Sequence, residues 1–304
     1  MTARTKSFVV AETEAGDRYD RLLVLHVPGL GRRRAKELFL EGRVRVNGRS
    51  AKGGVPAKAG DEVTVELDAA GATPEAPESL VVRFEHEEVV VVEKPAGQPT
   101  APIRPSEVGT LANAIAARYP KTLGVGHQPR EPGLLHRLDT QTSGLVVVAL
   151  TPAAFETLNH ALGTGRLTKR YLALVAGELG AEGSIDWPLA PDPHRKGRVA
   201  AYPTPPRGYF REATTRYRVV ETRGPLKLVE LEVARAFRHQ VRAHLAALGA
   251  PLVGDTLYGG SPWPGGGERH ALHASYVAWA GDATVPSFRV ESGLPEDLRL
   301  LFGA

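Results

Sequence analysis

Apolar residues along this chain follow two patterns. Short runs rich in β-branched residues predict strands at "EVVVVEKPAG" (88–97), "GLVVVAL" (144–150), "RYLALVAGEL" (170–179), "TTRYRVVET" (214–222) and "KLVELEVAR" (227–235). Between some of them the apolar positions recur at helical spacing, over 110–119, 153–163 and 238–248. Strand often follows strand with no helix between. That order predicts an α+β fold with a mixed, largely antiparallel sheet flanked by helices. Long Pro- and Gly-rich stretches such as "DWPLAPDPHRKGRVAAYPTPPRGYF" read as loops, and no internal repeat stands out.

The beginning of the chain has its own small pattern. Leu22, Leu23 and Leu25 predict a short helix, and Ala35, Leu38 and Phe39 a second over 32–41. "GRVRVNGRS" predicts a strand, a turn at Asn47-Gly48 and a return, and "AGDEVTVEL" a closing strand. "DAAGATPEAPES" offers little to bury and reads as a linker. The expected organisation is an N-terminal segment (1–17), a small unit (18–68), a linker (69–79) and a large domain (80–304).

Charge sharpens this division. Residues 18–58 carry 11 Lys or Arg against 3 Asp or Glu, a net +8, while the other 27 basic and 31 acidic residues give −4. A solvated surface accounts for a charge run, but so compact a basic block favours a polyanion such as nucleic acid. The absence of cysteine excludes disulfides, thiolate catalysis and cysteine-ligated zinc. No apolar stretch approaches a membrane span, and "MTARTKSFVV" lacks the form of a secretory signal. A cytoplasmic monomer with no membrane contact is the expectation.

Candidate chemistry centres on "LLHRLDTQTSGLVVVAL" (134–150), where ionisable residues meet a buried strand. A lone Asp in a turn most often closes an Asx turn or caps a helix. Tyr171 shares a strand face with Ala173 and Val175, and as a lone tyrosine it would be plain core. Arg242 borders the helical stripe of Val241, Leu245 and Leu248, where a guanidinium can turn inward and bond a carboxylate in two places. There is no P-loop, no Rossmann glycine turn and no metal-ligand spacing among the ten histidines, so neither cofactor nor metal is expected.

The window "HRLDxxTSGL" resembles the signature of RluA-type pseudouridine synthases, through His136, Arg137, Leu138, Asp139, Thr142, Ser143, Gly144 and Leu145. "VVEKPAGQPT", "TKRYLALV", "RHQVRAHLAALGAPLVGDTLYG" and "RHALHA" resemble further segments of that family in the same order. One segment departs: Ala236-Phe237-Arg238 stands where Gly-Arg-Thr is usual. Residues 18–68 resemble the alpha-L RNA-binding domain through Gly42, Val44, Val46, Asn47, Gly48, Gly60 and Asp61. Tyr19 and Gly31 depart there from the usual leucine and serine.

The resemblance implies that uridines in RNA are isomerised to pseudouridine without a cofactor, in ribosomal RNA first and tRNA second. It implies that Asp139 is the essential aspartate. Attack on ribose, attack on uracil and removal of a ribose proton all remain open to it. Each requires an ionised carboxylate, which Arg242 is placed to favour. Tyr171 would stack on uracil and take the carbon-5 proton, and Lys169 on the same face would contact phosphate. His136 and Arg137 would fill the space left by an extracted nucleotide or hold its backbone. Arg238, His239 and Gln240 fall in the RNA-binding third motif, and Arg32, Arg33, Arg34, Lys36, Arg43 and Asn47 in the alpha-L surface. A non-catalytic RNA-binding protein and a two-carboxylate hydrolase are the rival readings; the latter needs a second positioned carboxylate.

Overall fold

Alternation along "EVTVEL" buries Val63 and Val65 completely and leaves their neighbours outward. These valines belong to the first of two units in this computed structural model, Met1–Ala70. It comprises β1 (Arg4–Val9), α1 (Tyr19–His26), α2 (Arg32–Leu40), β2 (Val44–Val46), β3 (Arg49–Ser50) and β4 (Glu62–Leu67). The structure describes residues 4–27, 30–67, 71–76, 79–104, 107–234, 236–264 and 269–303, without the side chains of Arg4 and Arg33.

The four strands form an antiparallel sheet in the order β1-β4-β2-β3. Leu22 and Leu23 of α1 and Ala35 and Leu38 of α2 pack on Val44, Val63 and Val65. Asn47 (φ 49°) and Gly48 (φ 75°) take the left-handed turn that suits a tight hairpin. Gly31 precedes α2 without a side-chain cap. The departure at Tyr19 is absorbed by a bond from its hydroxyl to Asp61, while Arg18 grips Asp20 with two nitrogens at 3.0 and 2.7 Å. The segment 1–17, expected to stand apart, contributes β1 to this sheet over its full six residues.

The second unit, Gly71–Ala304, contains β5 (Val81–Glu85), β6 (Val89–Lys94), α3 (Leu111–Arg118), β7 (Ser143–Ala149), α4 (Pro152–Gly163), β8 (Thr168–Ala176), β9 (Glu182–Ile185), β10 (Leu189–Pro191), β11 (Val199–Ala201), β12 (Thr215–Arg223), β13 (Leu226–Glu232), α5 (Gln240–Ala247), β14 (Leu272–Trp279), β15 (Phe288–Glu291) and α6 (Glu296–Gly303). Its main sheet runs β5-β6-β7-β14-β8-β13-β12-β9, with β15 on β14. The β7–β14 pair is parallel and its other strand pairs are antiparallel.

The valine runs are continuous because both faces are covered. Val90, Val92, Val146 and Val148 face α3 and α5; Val89, Val91, Leu145 and Val147 face α4. Two expectations change here. Within the described part of the linker, Ala72 is buried and Asn113 Nδ2 donates to Thr73 O at 2.8 Å, so this stretch packs on the second unit. The stretch 186–210, read as loop, contains the β10–β11 hairpin; its three residue pairs are too short to leave a period in the sequence.

Candidate active site

Two central strands part to open the site. β7 and β14 pair only at Ser143–His273 and Gly144–Ala274. Gly144 has φ 117°, and any side chain there would fall on the Ala274 backbone. Thr142 Oγ1 lies 2.7 Å from His270 Nε2, and Ser143 Oγ lies 2.8 Å from His273 Nδ1. The Thr-Ser-Gly of one motif is thus a clasp on two histidines of a distant one. Burial lowers both histidines to about 4, so they are neutral partners in these bonds. Past the clasp, residues 134–136 take the edge of β7 instead. Leu135 N donates to Val147 O at 3.2 Å, and Val147 N donates to His136 Nε2 at 3.3 Å.

Asp139 lies in the turn between that edge segment and the clasp, where Thr142 N donates to its carbonyl at 3.0 Å. The turn is braced from inside. Lys94, fully buried, donates to Pro95 O and Gln98 O at 2.8 Å and to Thr140 O at 3.1 Å. Burial and the Arg269 charge push the Lys94 ammonium down to about 7, against Asp139. Thr100 Oγ1 donates to Leu138 O at 2.7 Å.

A cavity of about 1030 Å³ opens over this turn, lined by Asp139, His136, Lys169, Arg238, His239 and Arg242 among others. Arg242 projects from α5 and is only 8% exposed. Its Nε and Nη2 donate to the two oxygens of Asp255 at 2.7 and 2.8 Å, and its Nη1 donates to Asp139 Oδ2 at 2.9 Å. Burial opposes the charge, but the two carboxylates outweigh it and the guanidinium pKa is raised. The expected two-point bond from Arg242 to Asp139 is therefore corrected. The fork goes to Asp255, because the Nε edge of the guanidinium faces the 252–259 loop and leaves one nitrogen for Asp139.

His239 caps α5 in a left-handed conformation (φ 56°) that sends its Nε2 to 3.8 Å from Asp139 Oδ2 and its Nδ1 to 3.1 Å from the Tyr258 hydroxyl. Burial lowers its pKa despite the carboxylate beside it. Tyr258 also stacks under Arg242 at 5.0 Å. Tyr171, on β8 opposite Ala274, is 5% exposed. Burial and the Asp139 charge raise its phenol pKa, and its hydroxyl makes no hydrogen bond among the described residues.

The other expected site residues divide. Arg137 is exposed and paired to Glu131 at 3.0 Å. Arg238 Nη2 donates to Gly197 O at 2.6 Å, which ties the 192–198 loop to the cavity rim. Gln240 turns away from the cavity: it is 2% exposed and its amide bonds Thr214 O, Thr215 Oγ1 and Phe237 N. In the first unit Arg32 and Lys36 are exposed, Arg34 is paired to Glu37 and Glu41, and Arg43 lies 3.8 Å from Glu41. Asn47 spends its amide on Asp61 and Glu62 N, and the Arg33 side chain lies outside the described residues.

Asp255, Tyr258, His270 and Lys94 are functional neighbours that periodicity does not flag. They stand inside quoted motifs, at "GDTLYG", "RHALHA" and "VVEKPAG", and that was their only signal. Asp255 is also the second carboxylate that a hydrolase would require. It is 2% exposed with both oxygens on Arg242, so it has no face to offer an attacking water.

Comparison with known proteins agrees with this geometry. Residues 88–247 match the family model described as RNA pseudouridylate synthase. An uncharacterized RNA pseudouridine synthase of Chloroflexus aurantiacus is 34% identical over 99% of this chain and 94% of its own length. The ribosomal large subunit pseudouridine synthase D of Yersinia pestis is 33% identical over 98% and 94%. The structure of human RNA pseudouridylate synthase domain containing 1 superposes with a TM-score of 0.55 at 25% identity, covering 75% of this chain and 95% of that one. The splayed strands, the Asp139–Arg242 pair and these matches place the chain in the RNA pseudouridylate synthase family.

Proposed function

We propose that this protein converts specific uridines of ribosomal RNA to pseudouridine, with Asp139 as its catalytic carboxylate. One observation carries the assignment of Asp139. Arg242 holds its Oδ2, while its Oδ1 accepts no hydrogen bond among the described residues and is left for the nucleotide. The ribosomal substrate is supported by relatives named ribosomal large subunit pseudouridine synthase D, from Yersinia pestis and Xanthomonas campestris.

The reaction breaks the bond between ribose and uracil nitrogen, turns the base, joins carbon 5 to the ribose, and releases the carbon-5 proton. Electrons balance within the nucleotide, so no redox partner enters. Arg242 orients Asp139 toward the nucleotide and offsets its charge in a cavity with limited water. Asp255 fixes the guanidinium that does this. Tyr171 stacks on the uracil at the buried end of the site and receives the carbon-5 proton. Arg137, exposed at the rim, enters the stack that the uridine vacates. Arg238 and His239 border the same rim.

The first unit serves as an alpha-L-type RNA-binding domain. Its exposed Arg32 and Lys36 crowd the N-terminal turns of α2, where cations oppose the helix dipole and gain from a phosphate. Arg33, Arg34, Arg43 and Asn47 complete this surface.

The test is tritium release from RNA labelled at uridine carbon 5. Unmodified ribosomal and transfer RNA transcripts are compared, with the wild type and Asp139→Asn side by side. Release from ribosomal RNA by the wild type alone is the expected result. Release from transfer RNA alone would replace the substrate, and release by neither protein would remove the enzymatic assignment.

A further inference from the structure

At one end of the cavity stand two buried donors without acceptors. Lys169 is 3% exposed, lines the cavity, and makes no hydrogen bond or ion pair among the described residues. His136 lines the same cavity. Its Nε2 accepts the Val147 amide proton, which fixes the ring's own proton on Nδ1, and that nitrogen is buried with no partner. Buried polar groups of this kind are nearly always satisfied, so two together mark a missing acceptor.

The position of the pair says what is missing. Lys169 precedes Tyr171 by two residues on β8, so the two share a face about 7 Å apart along the strand. The charge of Asp139 acts on Tyr171, Lys94, His239 and His270, whereas Lys169 is perturbed by burial alone. Lys169 therefore lies beyond the place where the ribose–uracil bond must meet Asp139, displaced by about the length of one nucleotide step. Burial brings its ammonium down to about 8, so at neutral pH it is still mostly charged. It also depresses His136 further, after burial, to about 3, which keeps the imidazole neutral and its Nδ1–H a donor. A cation and a neutral N–H converging in a cleft with no carboxylate of their own suit an anionic oxygen.

We propose that Lys169 Nζ and His136 Nδ1 form a binding subsite for one RNA backbone phosphate next to the target uridine. The assignment rests on the uridine-isomerising function above and names the part of the substrate held there. Rim arginines such as Arg137 can meet any phosphate of a folded RNA. This buried pair is reached only by a strand that has entered the cleft, so it recognises the extracted nucleotide rather than the helix around it.

The experiment is phosphate-ethylation interference on an unmodified large-subunit ribosomal RNA fragment, read by binding to the intact protein. Wild type, Lys169→Met and Asp139→Asn are compared. Ethylation of one phosphate is expected to weaken wild type and Asp139→Asn by about tenfold and to have no added effect on Lys169→Met. Lys169→Met removes an unpaired buried charge, so its melting temperature should equal or exceed that of the wild type. In tritium release it should raise KM about tenfold and leave kcat largely intact. If every ethylated phosphate that weakens the wild type weakens Lys169→Met equally, the phosphate subsite is wrong. A loss of kcat with an unchanged interference pattern would move the acceptor to the uracil and also overturn it. Because interference reads binding, an inactive wild type would strike the enzymatic assignment alone.

Discussion

Arg242 meets Asp255 with two nitrogens and Asp139 with one. The stronger grip is on the carboxylate that faces no substrate. Asp255 anchors the guanidinium, and the catalytic candidate receives what remains of its donors.

This asymmetry predicts different consequences at the two aspartates. Asp255→Asn should lower kcat by about 100-fold, because Arg242 is no longer fixed over Asp139. Asp255→Ala should also cost about 3–5 kcal/mol of stability, as it strips a buried cation of its main partner. Asp139→Asn should change stability by less than about 1 kcal/mol, since the fork survives. Urea denaturation alongside single-turnover tritium release separates these outcomes.

Tyr171 makes a cleaner case. Its hydroxyl bonds nothing among the described residues, so Tyr171→Phe should fold at least as stably as the wild type. If the phenol accepts the carbon-5 proton, the same change should reduce the rate by about 10²–10⁴-fold. Retained activity in a stable Tyr171→Phe would remove the phenol from the chemistry.

The clasp histidines give a pH dependence with a definite sign. His270 and His273 titrate near 4 in the folded protein against 6.5 for the model group. Between those values the unfolded chain binds more protons, so stability rises with pH through this window. It is fully present above about 6.5 and is lost as the pH falls toward 4. The two histidines together should contribute several kcal/mol, at about 1.4 kcal/mol per unit each. Urea midpoints from pH 7 to 4.5 should fall steeply in the wild type and less in His273→Asn.

Gly144 is the steric test. With φ 117° and the Ala274 backbone against it, Gly144→Ala should cost about 3 kcal/mol or more. Gly163→Ala, with open space around its Cα, should be nearly silent. Equal melting temperatures for the two variants would mean that the strands do not approach as closely as described.

Much of the scaffold was legible because burial leaves a period. The valine runs of β6 and β7, the helical stripe of α5 and the Asn47-Gly48 turn all carry their geometry in residue order. The convergence of Asp139, Tyr171 and Arg242 was legible through motif resemblance and not through spacing. Which edge of Arg242 faces which aspartate was not, since a guanidinium rotates on a long stem and sequence does not record its torsions. Nor were the Thr142–His270 and Ser143–His273 bonds, whose partners lie 128 and 130 residues apart. Ala72 was misread because a small residue that fills a gap looks like one with nothing to bury.

The sheet order has a consequence for when the enzyme comes into being. β14, formed by Leu272–Trp279, inserts between β7 and β8, so the middle of the sheet awaits nearly the last strand made. Contacts of such long range form late and slowly. A chain still emerging from the ribosome holds Asp139, Tyr171 and Arg242 long before His270 and His273 exist to clasp the catalytic turn. The activity should therefore appear abruptly with synthesis of the final strands, and a nascent chain stalled before residue 272 should be inert toward the RNA around it.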